Sequence, residues 1–122
     1  MIRIAILSVI MVFSCDFLSP TEINFISDSD LIEIHEIEYI LLDVRTPEEY
    51  SQGHIPNASI LDIYDSQVFV EGIKSLDTSK NYYVYCRSGV RSAQACQLMN
   101  QMGIEKTYNL LGGFIEWKGE NA

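Results

Sequence analysis

Apolar residues along this chain fall into short blocks separated by polar or helical stretches, and the blocks predict the elements. Asn24-Phe25-Ile26 predicts a weak first strand. Ser27 stands where an N-cap belongs, followed by acids in the first turn of a helix over Asp28 to Glu36. Tyr39 to Val44 is apolar apart from Asp43, the pattern of a strand buried on both faces. Thr46-Pro47-Glu48-Glu49 supplies an N-cap, a proline at the first helical position and two acids, so a short helix follows and ends at Gly53. Ala58 to Ile63 predicts a third strand. Ser66 to Leu76 predicts a helix with Val68, Phe69, Ile73 and Leu76 facing inward. Tyr82 to Tyr85 is the fourth strand. Ser92 to Met102 follows as a helix whose Ala95, Leu98, Met99 and Met102 recur at helical spacing, with Gly103 as its stop. Thr107 to Leu111 is a fifth strand, broken by Gly112-Gly113, and a last short helix carries Phe114 and Trp117.

Strand–helix alternation of this kind predicts an α/β fold with a parallel sheet covered on both faces. In such sheets ligands bind beyond the carboxyl ends of the strands. Cys86 sits at such an end, on a strand the pattern makes central. Its surroundings, Tyr85-Cys86-Arg87-Ser88-Gly89-Val90-Arg91-Ser92, therefore bear on function.

The 122 residues suit one core. Seventeen acids against eight bases, a formal net charge of -9, argue against a nucleic-acid partner. Any bound anion must be held by a local positive site working against the global field. No Cys/His/Asp/Glu cluster has metal-ligand spacing, so no metal and no cofactor are expected. A monomer is expected.

The N-terminus reads differently. Met1-Ile2-Arg3 is a positive start, and Ile4 to Phe13 is apolar apart from Ser8. About ten residues is too short to span a bilayer, which needs ~20, and fits the apolar core of a secretory signal. A core strand or helix is the competing reading, weakened because nothing polar alternates along the run. Val12-Phe13-Ser14-Cys15 resembles a bacterial lipobox, with Phe13 unusual there. The resemblance implies a signal over 1–14, lipidation of Cys15, a tether over 15–22 and a domain over 23–122. The mature protein would face the periplasm from a lipid anchor in the cell envelope.

Of the other two cysteines, Cys96 lies well along the predicted helix. At 1.5 Å rise per residue its Cα falls beyond the ~7 Å reach of a disulfide from Cys86. Cys96 is expected in the core, leaving Cys86 as a free thiol. If Cys86 to Arg91 wraps around the helix N-terminus, Gly89 permits a positive φ and successive N–H groups turn inward. Those donors, the helix dipole, Arg87 and Arg91 favour a thiolate and would hold a negative atom attached to its sulfur. Such a site suits group transfer through a covalent thio-intermediate. Protein tyrosine phosphatases carry Cys-x5-Arg; the Cys-x4-Arg loop here is tighter and fits a single sulfur better than a phosphoryl group.

At this point the chain resembles the rhodanese-like domains, from about Ile23 to Lys118. The resemblance rests on Leu41 to Ala58 (LLDVRTPEEYSQGHIPNA), Tyr85 to Ser92 (YCRSGVRS) and Asn109 to Trp117 (NLLGGFIEW). It implies a three-layer α/β/α sandwich on a five-stranded parallel sheet of order 1-5-4-2-3, and a persulfide carried on Cys86. Substrate contacts fall to Arg87, Ser88, Gly89, Val90 and Arg91, and the basic loop resembles thiosulfate-type members. The implied partners are a small anionic sulfur donor and a thiol, protein or cyanide acceptor. Asn57 stands where the family has glycine, and asparagine tolerates a positive φ. Val90 makes the loop lip apolar. Asp43 and Arg45 resemble the family's Asp-x-Arg pair and are read as structural support. His54 is read as a turn residue bonded to backbone, His35 as a solvated helix residue, and Phe114 as core with a possible place on the pocket wall. Two rivals stand: an inactive rhodanese-like binding module, and a cysteine-based phosphatase or arsenate reductase, the latter disfavoured by the short loop.

Overall fold

The computed structural model of the chain describes residues 23–34 and 39–122. The expected signal over 1–14, Cys15, the expected tether over 15–22 and His35 lie outside the described residues. Five strands form one parallel sheet: β1 (Asn24–Ile26), β2 (Tyr39–Asp43), β3 (Ser59–Ile60), β4 (Asn81–Tyr85) and β5 (Thr107–Leu110). Their order is β1-β5-β4-β2-β3, as the resemblance implied. The helices are α1 (Asp28–Glu33), α2 (Pro47–Ser51), α3 (Ser66–Lys74) and α4 (Val90–Gln101), with a 3-10 turn over Phe114–Glu116.

Side chains of β4 alternate between two cores because successive strand residues face opposite sides. Tyr82, Val84 and Cys86 pack with Phe69 and Ile73 of α3 and Ala95, Cys96 and Met99 of α4. Tyr83 and Tyr85 pack on the other face with Leu31 of α1, Ile55 and Leu110, bordered by Tyr50 and Phe114. A sheet covered on both faces makes three layers. Tyr82 and Tyr85 stay fully buried because their hydroxyls have partners: Tyr82 donates to the Asp77 carbonyl at 2.7 Å, and Tyr85 accepts from the Ile55 amide at 3.1 Å.

Local signals act as read. Ser27 accepts from the Asp30 amide, and Thr46 and Glu49 close a reciprocal capping box on α2. Asn57 has φ +69°, the left-handed conformation expected of it. The inward assignment of Val68 fails, since it is exposed, and of the apolar residues at helical spacing in α4 Leu98 and Met102 are exposed too. In α4 the buried stripe is Ser92, Ala95, Cys96 and Met99, spaced i, i+3, i+4 and i+7. Small residues at three of those four positions let the helix sit close to the sheet, and the larger Leu98 and Met102 are turned to its flank. Only Ser59–Ile60 of the third strand is regular. Beyond it the chain still bonds β2 through Leu61 N to Asp43 O at 2.8 Å and Ile63 N to Val44 O at 3.2 Å.

Candidate active site: the Cys86 loop

Cys86 is the residue after β4 and is 1% exposed. Its Sγ accepts from the Gly89 amide at 3.1 Å and lies 3.3 Å from Ser92 Oγ. Gly89, at φ +111°, is the N-cap of α4 and gives no side-chain cap, so the helix's first N–H groups open towards the sulfur. Burial alone would raise the thiol. The Ser92 hydroxyl and the amides of Ser92, Gly89 and Ser88 outweigh it and draw Cys86 below the ordinary thiol range.

The loop is braced from outside by the Gly-Gly turn. The Phe114 amide donates to the Cys86 carbonyl at 2.8 Å and the Ile115 amide to the Arg87 carbonyl at 3.0 Å. In a trans peptide the N–H points opposite to the carbonyl. Fixing those two carbonyls outward therefore aims the Arg87 and Ser88 amides away from the turn and into the loop. The approach is so close that a Cβ on Gly113 would lie 2.6 Å from the Cys86 carbonyl oxygen.

The two loop arginines are placed differently. Arg91 grips Glu49 with both arms, Nη1 to Oε1 at 2.7 Å and Nη2 to Oε2 at 2.9 Å, and lies over the Tyr64 ring. Arg91 holds the Glu49 carboxyl down to about 2, helped by Thr46 and opposed by burial. Glu49 in turn holds the guanidinium protonated. Arg87 is exposed, and among the described residues its guanidinium has no ion-pair partner. It borders a cavity of about 470 Å³ beside the loop, walled by Phe114, Ile115 and Trp117 with Arg45 and Glu49. Ser88 is exposed, Gly89 half-buried, and Val90 stands at the lip, 69% exposed.

Asp43 and Arg45 form a buried fork at the end of β2. Arg45 Nη2 lies 2.6 Å from Asp43 Oδ2, and it donates to the Gly53 carbonyl at 2.8 Å. The guanidinium sits 4.4 Å over the Phe114 ring. The pair thus ties β2, the α2 terminus and the Gly-Gly turn together. His54 stacks on Tyr50 with Nδ1 3.0 Å from the Tyr50 carbonyl, a turn residue bonded to backbone. Cys96 is a free, fully buried thiol pushed up to about 11 by burial. Among the described residues no group of His, Cys, Asp or Glu could hold a metal.

Sequence reasoning missed Ser92 and Asn109 as parts of the site. In the sequence Ser92 reads as a helix start and the end of the second block, and Asn109 as a strand residue that opens the third. An asparagine within an otherwise apolar strand end was the available signal, because a buried amide must find partners. Glu49 was read only as a helix-start acid, while its reach to Arg91 across 42 residues has no local trace.

The model of the family "Rhodanese-like domain" matches residues 29–120. The chain belongs to the rhodanese-like family. It is 38% identical over 99 residues to a putative sulfurtransferase of Bacillus subtilis, YtwF, covering 81% of this chain and 91% of that one. It is 30% identical over 100 residues to the thiosulfate sulfurtransferase GlpE of Coxiella burnetii, covering 82% and 89%. The crystal structure of a rhodanese-related protein from Thermoplasma volcanium superposes with a TM-score of 0.71 at 31% identity, over 81% of this chain and 97% of that one.

Proposed function

We propose that this rhodanese-like protein is a thiosulfate-type sulfurtransferase that carries sulfane sulfur on Cys86. The Cys86 thiolate attacks the outer sulfur of thiosulfate and expels sulfite, leaving Cys86-S-S⁻. The amides of the loop and of the α4 N-terminus take up the charge on the terminal sulfur, and a thiol or cyanide then removes that atom. One observation carries the reading: a thiol that burial should raise is drawn below its ordinary range by donors converging on Sγ. An inactive binding module has no use for that arrangement. A nucleophile this recessed also suits a slim leading atom, such as a terminal sulfur, better than a phosphoryl group. Among the described residues Arg87 has no ion-pair partner and is available to an anionic donor, and the apolar wall beside it offers room for the body of a thiol acceptor. The protein works as an exported monomer anchored at Cys15, outside the reducing cytoplasm.

The test is intact-mass analysis with and without thiosulfate. Wild type should gain about 32 Da, one sulfur atom, and turn over thiosulfate with cyanide. Cys86→Ser should lose both, and Cys96→Ser should keep both. Turnover by the Cys86→Ser variant would overturn the mechanism.

A further inference from the structure

Behind Cys86 lies a buried chain of polar groups. Ser92 Oγ is 2.6 Å from Asn109 Oδ1 and 3.3 Å from Cys86 Sγ, while Asn109 Nδ2 donates to the Gly89 carbonyl at 3.1 Å. Ser92 is fully buried and Asn109 is 3% exposed, so neither can substitute water for a lost partner. The amide orientation follows from its neighbours, because the reverse flip would set Oδ1 against the Gly89 carbonyl, acceptor on acceptor. Ser92 therefore has one proton and two candidate acceptors.

We infer that Asn109 is a positioning residue that acts through Ser92, competing with Cys86 for the Ser92 proton and so disfavouring the thiolate relative to both the thiol and the persulfide. With Cys86 a thiol, S–H can donate to Ser92 Oγ while Ser92 donates to Asn109 Oδ1, and every group is paired. On ionisation the sulfur proton leaves to solvent. Two buried acceptors, S⁻ and Oδ1, then share a single hydroxyl proton, and one goes without at a cost comparable to an unmade buried hydrogen bond. On reaction, Cys86-S⁻ attacks the outer sulfur of thiosulfate, the S–S bond of thiosulfate breaks, and its electron pair leaves with sulfite. The negative charge moves to the terminal sulfur among the loop amides. The inner sulfur is then a weak acceptor, and the Ser92 proton returns to Asn109. The relay thus withholds part of the stabilisation that the loop amides give the thiolate, and so favours transfer of sulfur onto it. The charged groups near Cys86 are Arg91 of α4, coupled to it through space and paired with Glu49 of α2, and Arg87 in the loop. All stay constant in the Asn109→Leu and Ser92→Ala variants, whereas Asn109→Asp adds a carboxylate whose own charge also raises the thiol.

The inference rests on the sulfur-carrier reading for its purpose, but its first test uses no sulfur donor. Site-resolved alkylation of Cys86 by iodoacetamide against pH reads the thiol directly. Asn109→Leu should free the Ser92 proton and lower the Cys86 pKa, raising the thiolate fraction about tenfold below it, one unit. Asn109→Asp should shift it the opposite way. In a Ser92→Ala background Asn109→Leu should add no shift. If the leucine variant does not fold, Asn109→Ala serves the same arm. Shifts of one sign for Leu and Asp, as a merely structural anchor of Gly89 predicts, would overturn the inference. So would an Asn109→Leu effect of equal size without Ser92. At a pH above the Cys86 pKa, where the free form is the thiolate, and at a fixed thiosulfate-to-sulfite ratio, Asn109→Leu should also lower the loaded fraction relative to free Cys86 about tenfold. If wild type never loads, the sulfur-carrier reading fails while the titration still decides the role of Asn109.

Discussion

The amide of Phe114 donates to the carbonyl of Cys86 at 2.8 Å, so the Gly-Gly turn holds the back of the loop whose front holds the sulfur. That contact needs a bare backbone at Gly113. Its φ of +59° disfavours a side chain, and a Cβ there would meet the Cys86 and Arg87 carbonyls at 2.6 and 2.5 Å. Neither obstacle is the end of a flexible side chain, so the loop itself must shift. Gly113→Ala should cost about 1–3 kcal/mol through strain and lower the melting temperature by several degrees. The displaced amides should also cut thiosulfate loading of Cys86 tenfold or more, read by intact mass. Loading at the wild-type rate would show that the turn does not shape the loop.

Much of this architecture was legible because it is written locally. The Thr46 N-cap and the left-handed Asn57 are decided within a few residues and fall where the pattern put them, and the strands follow in the expected order, the third shorter than read. The Cys86–Arg91 loop is equally local, with glycine where the chain must turn. What escaped prediction depends on partners far apart in sequence. Leu98 and Met102 have the hydrophobicity of a core face, yet α4 presents its smaller residues to the sheet because close approach excludes larger ones. Arg91 has the charge of an anion ligand, but Glu49, arriving from another element, claims it. Asn109 shows its role only when β5 is laid beside β4.

Arg87 and Arg91 should therefore respond differently to mutation. Arg87 has no anionic partner among the described residues, and its loss should weaken an anionic donor selectively. Arg87→Ala should raise the KM for thiosulfate roughly fivefold to tenfold, about 1 kcal/mol, with a smaller change for a neutral persulfide donor. Arg91→Ala should also strip Glu49 of its partner and lower stability. Arg91→Lys should rescue only part of that, because a lysine cannot reproduce the two-armed grip. Equal losses with both donors in Arg87→Ala would confine Arg87 to holding the loop's shape.

The Glu49–Arg91 pair makes part of the stability depend on acid. Glu49 is depressed from 4.5 to about 2, so its contribution is complete above 4.5 and is lost as pH falls towards 2. Glu49→Gln removes that contribution at every pH. The melting-temperature gap between wild type and Glu49→Gln should be a few degrees at pH 6 and should narrow steadily between pH 4.5 and 3. The side chain is 28% exposed, so solvent screening keeps the gap modest. A gap that stays constant over that interval would mean the carboxylate's charge is not what stabilises α2 against α4.

The proposed anchoring concerns the segment before Ile23 and can be tested without reference to the site. Ile4 to Phe13 is too short to span a bilayer, and Cys15 follows at lipobox spacing. Acylation at Cys15 would give two or three chains, enough for stable membrane attachment where one is marginal. The seven residues Asp16 to Glu22 would then keep the domain near the membrane surface, where its excess of acids over bases opposes close approach to anionic lipid. Expression in a bacterium supplied with labelled fatty acid should place label in the protein and the protein in the membrane fraction. Cys15→Ala should abolish the label and leave an uncleaved precursor. A soluble product cut elsewhere and carrying no label would remove the anchor from the picture, while export and the chemistry of Cys86 would stand on their own tests.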